Sequence, residues 1–223
     1  MTSAAPHTPG PPVEPGQPLS TVVFIGDSIT DCGRRDDPDQ LGRGYVRLLR
    51  AELAESVTVI NTGISGNRVP DIASRLEEDC LAHEPDLVSL YVGVNDTWHR
   101  YTADRPTTTE DFAAGYRGLL ERIAPRPTMV MIPFILDVNE QLASYHEDLD
   151  PKVAAIRQLA AEFGCTVVDL EVALADALGQ GHQPVELAHD GVHPTEVGHR
   201  VLADTWLAAF RDGVAAGQLP GPG

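Results

Sequence analysis

Thr21-Val22-Val23-Phe24-Ile25-Gly26-Asp27-Ser28-Ile29-Thr30 sets the reading of the whole chain. Thr21 to Ile25 is a short apolar run rich in β-branched residues, and such a run reads as a strand buried on both faces of a parallel sheet. It ends on a glycine followed by an acidic residue and a hydroxyl. Open α/β sheets carry their sites at the carboxyl ends of their strands. Ser28 would stand at such an end, with backbone N–H groups nearby to receive negative charge. On this stretch alone, an ordinary Asp/Ser turn after a strand reads equally well.

Outward from it, strands and helices alternate. Asp31 to Gln40 is too charged for core and reads as a loop over the end of the first strand. Gly44 to Leu53 has Tyr45, Leu48, Leu49 and Leu53 at helical spacing. Val57 to Ile60 is a second strand, ending at Asn61-Thr62-Gly63. Pro70 opens a helix that reaches Leu81. Asp86 to Val92 is a third strand, followed by a polar loop to Thr108. Thr109 caps a helix reaching Ile123. Pro127 to Phe134 is a fourth strand. A long helix spans Glu140 to Phe163, with Pro151 interrupting or restarting it. Cys165 to Val168 is a fifth strand, Glu171 to Leu178 is helical, and Glu196 to Phe210 is the last helix. The alternation implies an α/β fold, a three-layer α/β/α sandwich with a five-stranded parallel sheet. The domain is expected over 19–211, between a disordered Pro/Gly-rich tail at 1–18 and a flexible Gly-rich tail at 212–223.

Composition narrows the partners. A chain of 223 residues with 42% hydrophobic content can bury one α/β core. Its net charge of −17 repels nucleic acid and anionic membrane. No apolar run approaches the roughly 20 residues of a transmembrane helix. Met1 to Pro18 has no lysine, arginine or apolar centre and does not read as a secretory signal. Cys32, Cys80 and Cys165 are odd in number and far apart, without metal spacing, and read as reduced thiols of a cytoplasmic protein.

Three further blocks follow the first in order: GISGN (63–67), GVNDTW (93–98) and DGVHPTEVGH (190–199). With GDSITDCGR (26–34) they make a four-block pattern that resembles the SGNH/GDSL hydrolases, and more closely their acetylxylan-esterase-like branch. The likeness runs from about Leu19 to Phe210. It implies a flavodoxin-like arrangement, a serine esterase without cofactor or metal, an acetylated carbohydrate as the small-molecule substrate, and a homo-oligomer. A lysophospholipase or thioesterase of the same fold is the alternative. A nucleotide-binding module is a remote one, since no Gly-x-Gly-x-x-Gly or P-loop pattern follows Gly26. One departure stands out. Relatives of the branch tend to carry an aromatic residue before the Asp of the last block, where this chain has His189.

A serine needs a base, and the base an orienting carboxylate. Of eight histidines, only His189 and His193 flank an aspartate in a short Gly-containing loop before the last helix. A turn at Gly191 could bring Asp190 and His193 within hydrogen-bond reach. The resemblance assigns Ser28 as nucleophile, His193 as base and Asp190 as its orienter, with Pro194 in the first turn of the last helix. An oxyanion needs donors. The Ser28 N–H, the Gly66 N–H and the Asn95 side-chain amide are the candidates, with Gly63 a rival to Gly66. Ser65 is an alternative nucleophile. Asp27 is a possible substrate contact, though its place before Ser28 fits an acceptor for loop N–H groups, as does that of Asp96. Trp98 and Tyr101 could stack on a sugar or simply pack their loop down. A zinc reading of His189, His193 and His199 is weakened by Gly191 and Pro194, which break any helix between the first two.

Overall fold

The five apolar runs form one parallel sheet in a computed structural model that describes residues 18–221. The strands are β1 (Thr21–Gly26), β2 (Thr58–Asn61), β3 (Leu87–Tyr91), β4 (Thr128–Met131) and β5 (Thr166–Val168), in the order β2-β1-β3-β4-β5. β1 is buried from Val22 onward because it has a neighbour on each side, whereas the edge strand β2 is partly open. Phe24 pairs with Asn61 on one side, and Gly26 pairs with Tyr91 on the other. The chain leaves β1 for β2 and then returns across β1 to β3. That reversal opens a crevice at the carboxyl ends of β1 and β3, and Ser28 and Asn95 follow those two ends directly.

The helices are α1 (Ser28–Asp31), α2 (Tyr45–Glu52), α3 (Val69–Asp79), α4 (Val94–Thr102), α5 (Thr109–Ile123), α6 (Glu140–Glu162), α7 (Leu170–Gly179), α8 (Pro184–Leu187) and α9 (Glu196–Ala215). Right-handed crossovers put α2 on one face and α3, α5 and α6 on the other, because the chain moves in opposite directions along the sheet. α9 joins α2. Trp206 of α9 lies against Phe24 and donates its indole N–H to Ser89 Oγ at 3.0 Å, which fixes that face to β1 and β3.

Several sequence expectations change. The polar loop expected up to Thr108 is helix α4 as far as Thr102. Trp98 and Tyr101 lie three apart, on one side of a helix. Both pack on Tyr145 of α6, Tyr101 stacked at 3.8 Å and Trp98 edge-on at 5.8 Å. Pro151 does not interrupt α6. It lies on the exposed side, so the carbonyl that loses its N–H partner can face water, while buried Leu149, Lys152 and Val153 hold the flanking turns. Pro194 does not open the last helix. Thr195 caps it, accepting from the Gly198 N–H, and Pro194 instead bridges to Ala188. α8 was not expected.

The C-terminal boundary also moves. α9 continues to Ala215, Leu219 is buried against Gly213, and the Leu19 N–H donates to the Gly221 carbonyl at 2.7 Å. Residues 212–221 therefore belong to the domain rather than to a flexible tail. The N-terminal tail expectation lies outside the described residues apart from Pro18, as do the last two C-terminal residues.

Candidate active site

Asp27 caps α1 by accepting the Ile29 N–H at 3.0 Å, which turns the chain sharply after β1 and presents Ser28 at the start of a single helical turn. Ser28 Oγ lies 2.9 Å from His193 Nε2. The histidine arrives from the loop between α8 and α9, whose shape follows from one side chain. Asp190 Oδ1 accepts the backbone N–H groups of Val192 and His193 at 3.0 and 2.7 Å. Its other oxygen, Oδ2, lies 2.7 Å from His193 Nδ1. Gly191 has φ +80°, and a Cβ there would strike the Leu136 carbonyl oxygen at 2.6 Å. The Leu136 N–H also donates to the Gly191 carbonyl at 2.8 Å, so the segment after β4 braces the loop.

Burial pushes the Asp190 carboxyl up, but the hydrogen bonds from the His193 ring and from the His193 and Val192 amides outweigh it and hold the group below the usual carboxylate range. An ionised Asp190 at Nδ1 keeps the ring proton on that nitrogen. Nε2 is then free to accept from the serine hydroxyl. The His193 and Asp190 side chains are about half exposed, at 52% and 47%, so the site is open to solvent from that side.

The oxyanion candidates sort themselves by what each N–H already does. The Gly63 N–H donates to Asn61 Oδ1 at 2.9 Å, and a Cβ at Gly63 would meet the Asp31 nitrogen at 2.2 Å. Gly63 is therefore a packing glycine under α1. Gly66 has φ +82°, with open space where a Cβ would be. The N–H groups of Ser28 and Gly66 have no hydrogen-bond partner among the described residues. Asn95 is nearly buried in the first turn of α4, and its Nδ2 donates to the Asn67 carbonyl at 3.0 Å. That bond joins the third block to the second and leaves the other amide hydrogen of Asn95 available.

Ser65 does not compete with Ser28. Its N–H and its hydroxyl both donate to Asp31 Oδ2, at 3.1 and 2.9 Å. Asp27 makes no substrate contact, because it lies wholly buried beneath the serine. Desolvation raises its pKa to about 7, and Oδ2 has no partner among the described residues. Asp96 accepts the Val69 N–H at 3.1 Å, tying α4 to α3, and burial raises its pKa to about 6. Tyr101 is engaged in packing, its ring on Tyr145 and its hydroxyl donating to Glu147 at 2.9 Å. Trp98 remains half-buried, three residues beyond Asn95.

The three block histidines do not converge. His193 engages both ring nitrogens, His189 is exposed, and His199 faces the Tyr45 N–H and Cys32 Sγ. Burial takes His199 down to about 4. Among the described residues no group of three or more His, Cys, Asp or Glu could hold a metal ion. Four residues missed in the sequence hold the site from behind. Asn61 donates to the Thr30 and Leu41 carbonyls at 2.7 and 2.8 Å, Asp31 receives Ser65, and Arg34 Nε donates to the Gly63 carbonyl at 2.6 Å. The fourth is Arg75.

A family model described as GDSL-like Lipase/Acylhydrolase family matches residues 24–201. The acetylxylan esterase of Geobacillus stearothermophilus is 36% identical over 202 residues, covering 83% of this chain and 91% of that protein. The acetylxylan esterase of Xylanibacter ruminicola is 23% identical over 220 residues, covering 88% of this chain and 44% of that longer protein. Among solved structures, a variant of Axe2, an acetyl xylan esterase from Geobacillus stearothermophilus, superposes with a TM-score of 0.77 at 35% identity, covering 87% of this chain and 95% of that one. LAE5, an alpha/beta hydrolase enzyme from the metagenome of Lake Arreo, also gives 0.77, at 32% identity over 86% and 95%.

Proposed function

The chain belongs to the GDSL-like lipase/acylhydrolase family and is a carboxylic ester hydrolase, and from that premise we propose that it is a serine esterase removing acetyl groups from a sugar or xylo-oligosaccharide. The observation that carries the chemistry is the hydrogen-bonded line from Ser28 Oγ through His193 to Asp190, at 2.9 and 2.7 Å. Ser28 Oγ attacks the ester carbonyl while His193 Nε2 takes its proton. Asp190 balances the imidazolium that forms. The negative oxygen of the tetrahedral intermediate receives the Ser28 and Gly66 N–H groups and the free Asn95 amide hydrogen. His193 then protonates the leaving sugar oxygen, and the acyl group stays on Ser28. Water, deprotonated by the same histidine, releases acetate and restores the serine.

Acetyl preference rests on two supports besides the relatives' substrates. The segment after α1, Cys32 to Gln40, is polar and partly to fully exposed, and Asp31, expected with it in the loop, is instead buried at the end of α1. A groove lined by Leu53, Ala54, Leu207, Phe210 and Val214, about 530 Å³ in volume, lies at the opposite end of the sheet, where Leu53 and Ala54 lead into the start of β2. A long acyl chain on Ser28 would gain nothing from it, although burying each CH₂ is worth about 0.8 kcal/mol. Trp98 is the side chain of α4 left to stack on a sugar ring.

Free thiols at Cys32, Cys80 and Cys165 support a reducing compartment, the cytoplasm. The family resemblance supports a homo-oligomer. Light scattering that finds only a 24.0 kDa species would remove that part.

p-Nitrophenyl esters from acetate to octanoate, together with mass spectrometry of acetylated xylo-oligosaccharides, test the substrate class. Acetate should exceed octanoate by about tenfold or more in kcat/KM, and the oligosaccharides should lose 42 Da steps, roughly one acetyl each. A rate that climbs with chain length would favour a lysophospholipase or thioesterase.

A further inference from the structure

β1 and β2 stop pairing at the edge of the site, and one side chain closes the gap. Past the last pair, Phe24 and Asn61, the Thr62 N–H still reaches the Phe24 carbonyl at 2.8 Å and the Ile64 N–H the Gly26 carbonyl at 3.0 Å. Arg75 projects from α3 into this fork. Its Nη1 donates to the Thr62 carbonyl at 2.7 Å and its Nη2 to the Gly26 carbonyl at 2.9 Å. Nε donates to Asn67 Oδ1 at 2.7 Å, and Nη1 also holds Asp79 of its own helix at 2.8 Å. The side chain is 12% exposed.

Three of those four acceptors, all but Asp79, adjoin the oxyanion hole. Gly26 precedes the Asp27–Ser28 turn. Thr62 immediately precedes the block that carries Gly66. Asn67 is the residue after Gly66, and its carbonyl receives Asn95 Nδ2 at 3.0 Å. Asn67 thus sits between two of the three donors, and Arg75 fixes its side chain. We propose that Arg75 is a positioning residue for the oxyanion hole, acting through Asn67 on Gly66 and Asn95. The inference rests on the esterase reading above, though not on which sugar carries the ester. A planar fork reaching three acceptors at once is a property of guanidinium that a lysine ammonium cannot reproduce. Donors in such a hole work only if they already point where charge will develop, and a shift of about 1 Å costs on the order of a hundredfold.

Arg75→Lys keeps the charge beside Asp79 and removes the fork. With p-nitrophenyl acetate, kcat should fall roughly tenfold to a hundredfold while KM stays within about twofold, since the hole binds the transition state far better than the ester. A packing role alone would lower the melting temperature and leave kcat per folded molecule unchanged. The double variant with Asn95→Ala separates the two. If Arg75 acts through the hole, Arg75→Lys should cost little more once Asn95 is gone; independent effects would multiply. Asn67→Ala is the second variant, for use if Arg75→Lys does not fold, because it leaves both carbonyl bonds of Arg75 in place. It should show the same fall in kcat and the same coupling to Asn95. An unchanged kcat in folded Arg75→Lys or in Asn67→Ala, or losses that multiply with that of Asn95→Ala, would overturn the proposal. Wild-type protein that fails to turn over p-nitrophenyl acetate would instead count against the esterase reading.

Discussion

Asp190 divides its two oxygens, one to the amides that shape the loop and one to the base. An asparagine would keep its carbonyl oxygen on the two amides and turn its NH₂ toward His193. That forces the ring proton onto Nε2, where it faces the serine hydroxyl as a donor. Asp190→Asn should therefore keep the fold by circular dichroism and lower kcat on the order of 10³- to 10⁴-fold. A loss under about tenfold would mean that Asp190 does not set the tautomer. Asp27 gives a different signature. Burial lifts its folded pKa to about 7, above the ordinary aspartate value of 3.8, so the fold binds its proton more tightly than the unfolded chain does. Stability from this group is whole below pH about 4 and is lost as pH rises through about 7. Asparagine can still cap Ile29 and carries no charge to bury. Melting temperatures from pH 4 to 8 should show Asp27→Asn gaining on wild type across that window, and a variant that falls behind as pH rises would reverse the assignment. The triad was legible through the family resemblance, with which the three-residue spacing of Asp190 and His193 agrees but which that spacing alone does not supply. Asp31 and Arg75 were not, because Asp31 meets Ser65 across 34 positions and Arg75 meets Gly26 across 49. Nothing local in a charged side chain announces so distant a partner.

Among the elements, buried strands declared themselves by unbroken apolar runs, whereas α4 was masked. Its residues Asn95, Asp96, Thr97, His99 and Arg100 read as a loop, and the face it buries shows in long-range contacts, the aromatic ones to Tyr145 and the bond of Asp96 to the Val69 N–H. Pro151 misled in the other direction. A helix that buries Leu149, Val153 and Ile156 can carry a proline on its wet side, so packing outweighs propensity. Pro151→Ala restores an N–H and a better helix former, offset in part by a freer unfolded chain. Urea denaturation should show a gain of about 1–2 kcal/mol. A loss of stability would mean that the proline ring makes a contact the helix depends on.

At the level of the whole molecule, strand order could not be read from the chain, since alternation of strands and helices fits several parallel sheets. The family resemblance implies a flavodoxin-like arrangement, and the structure supplies the order itself, β2-β1-β3-β4-β5. It puts the ends of β1 and β3 side by side, and that adjacency lets four blocks scattered from Gly26 to His199 meet in one crevice. In this crevice Ser28 is the residue expected to carry the acyl group. A serine-directed fluorophosphonate, followed by peptide mass spectrometry, tests it most directly. One adduct per chain is expected, on the peptide containing Ser28, absent in Ser28→Ala and much slower to form in His193→Ala. An adduct on Ser65, or labelling that persists undiminished in Ser28→Ala, would contradict it.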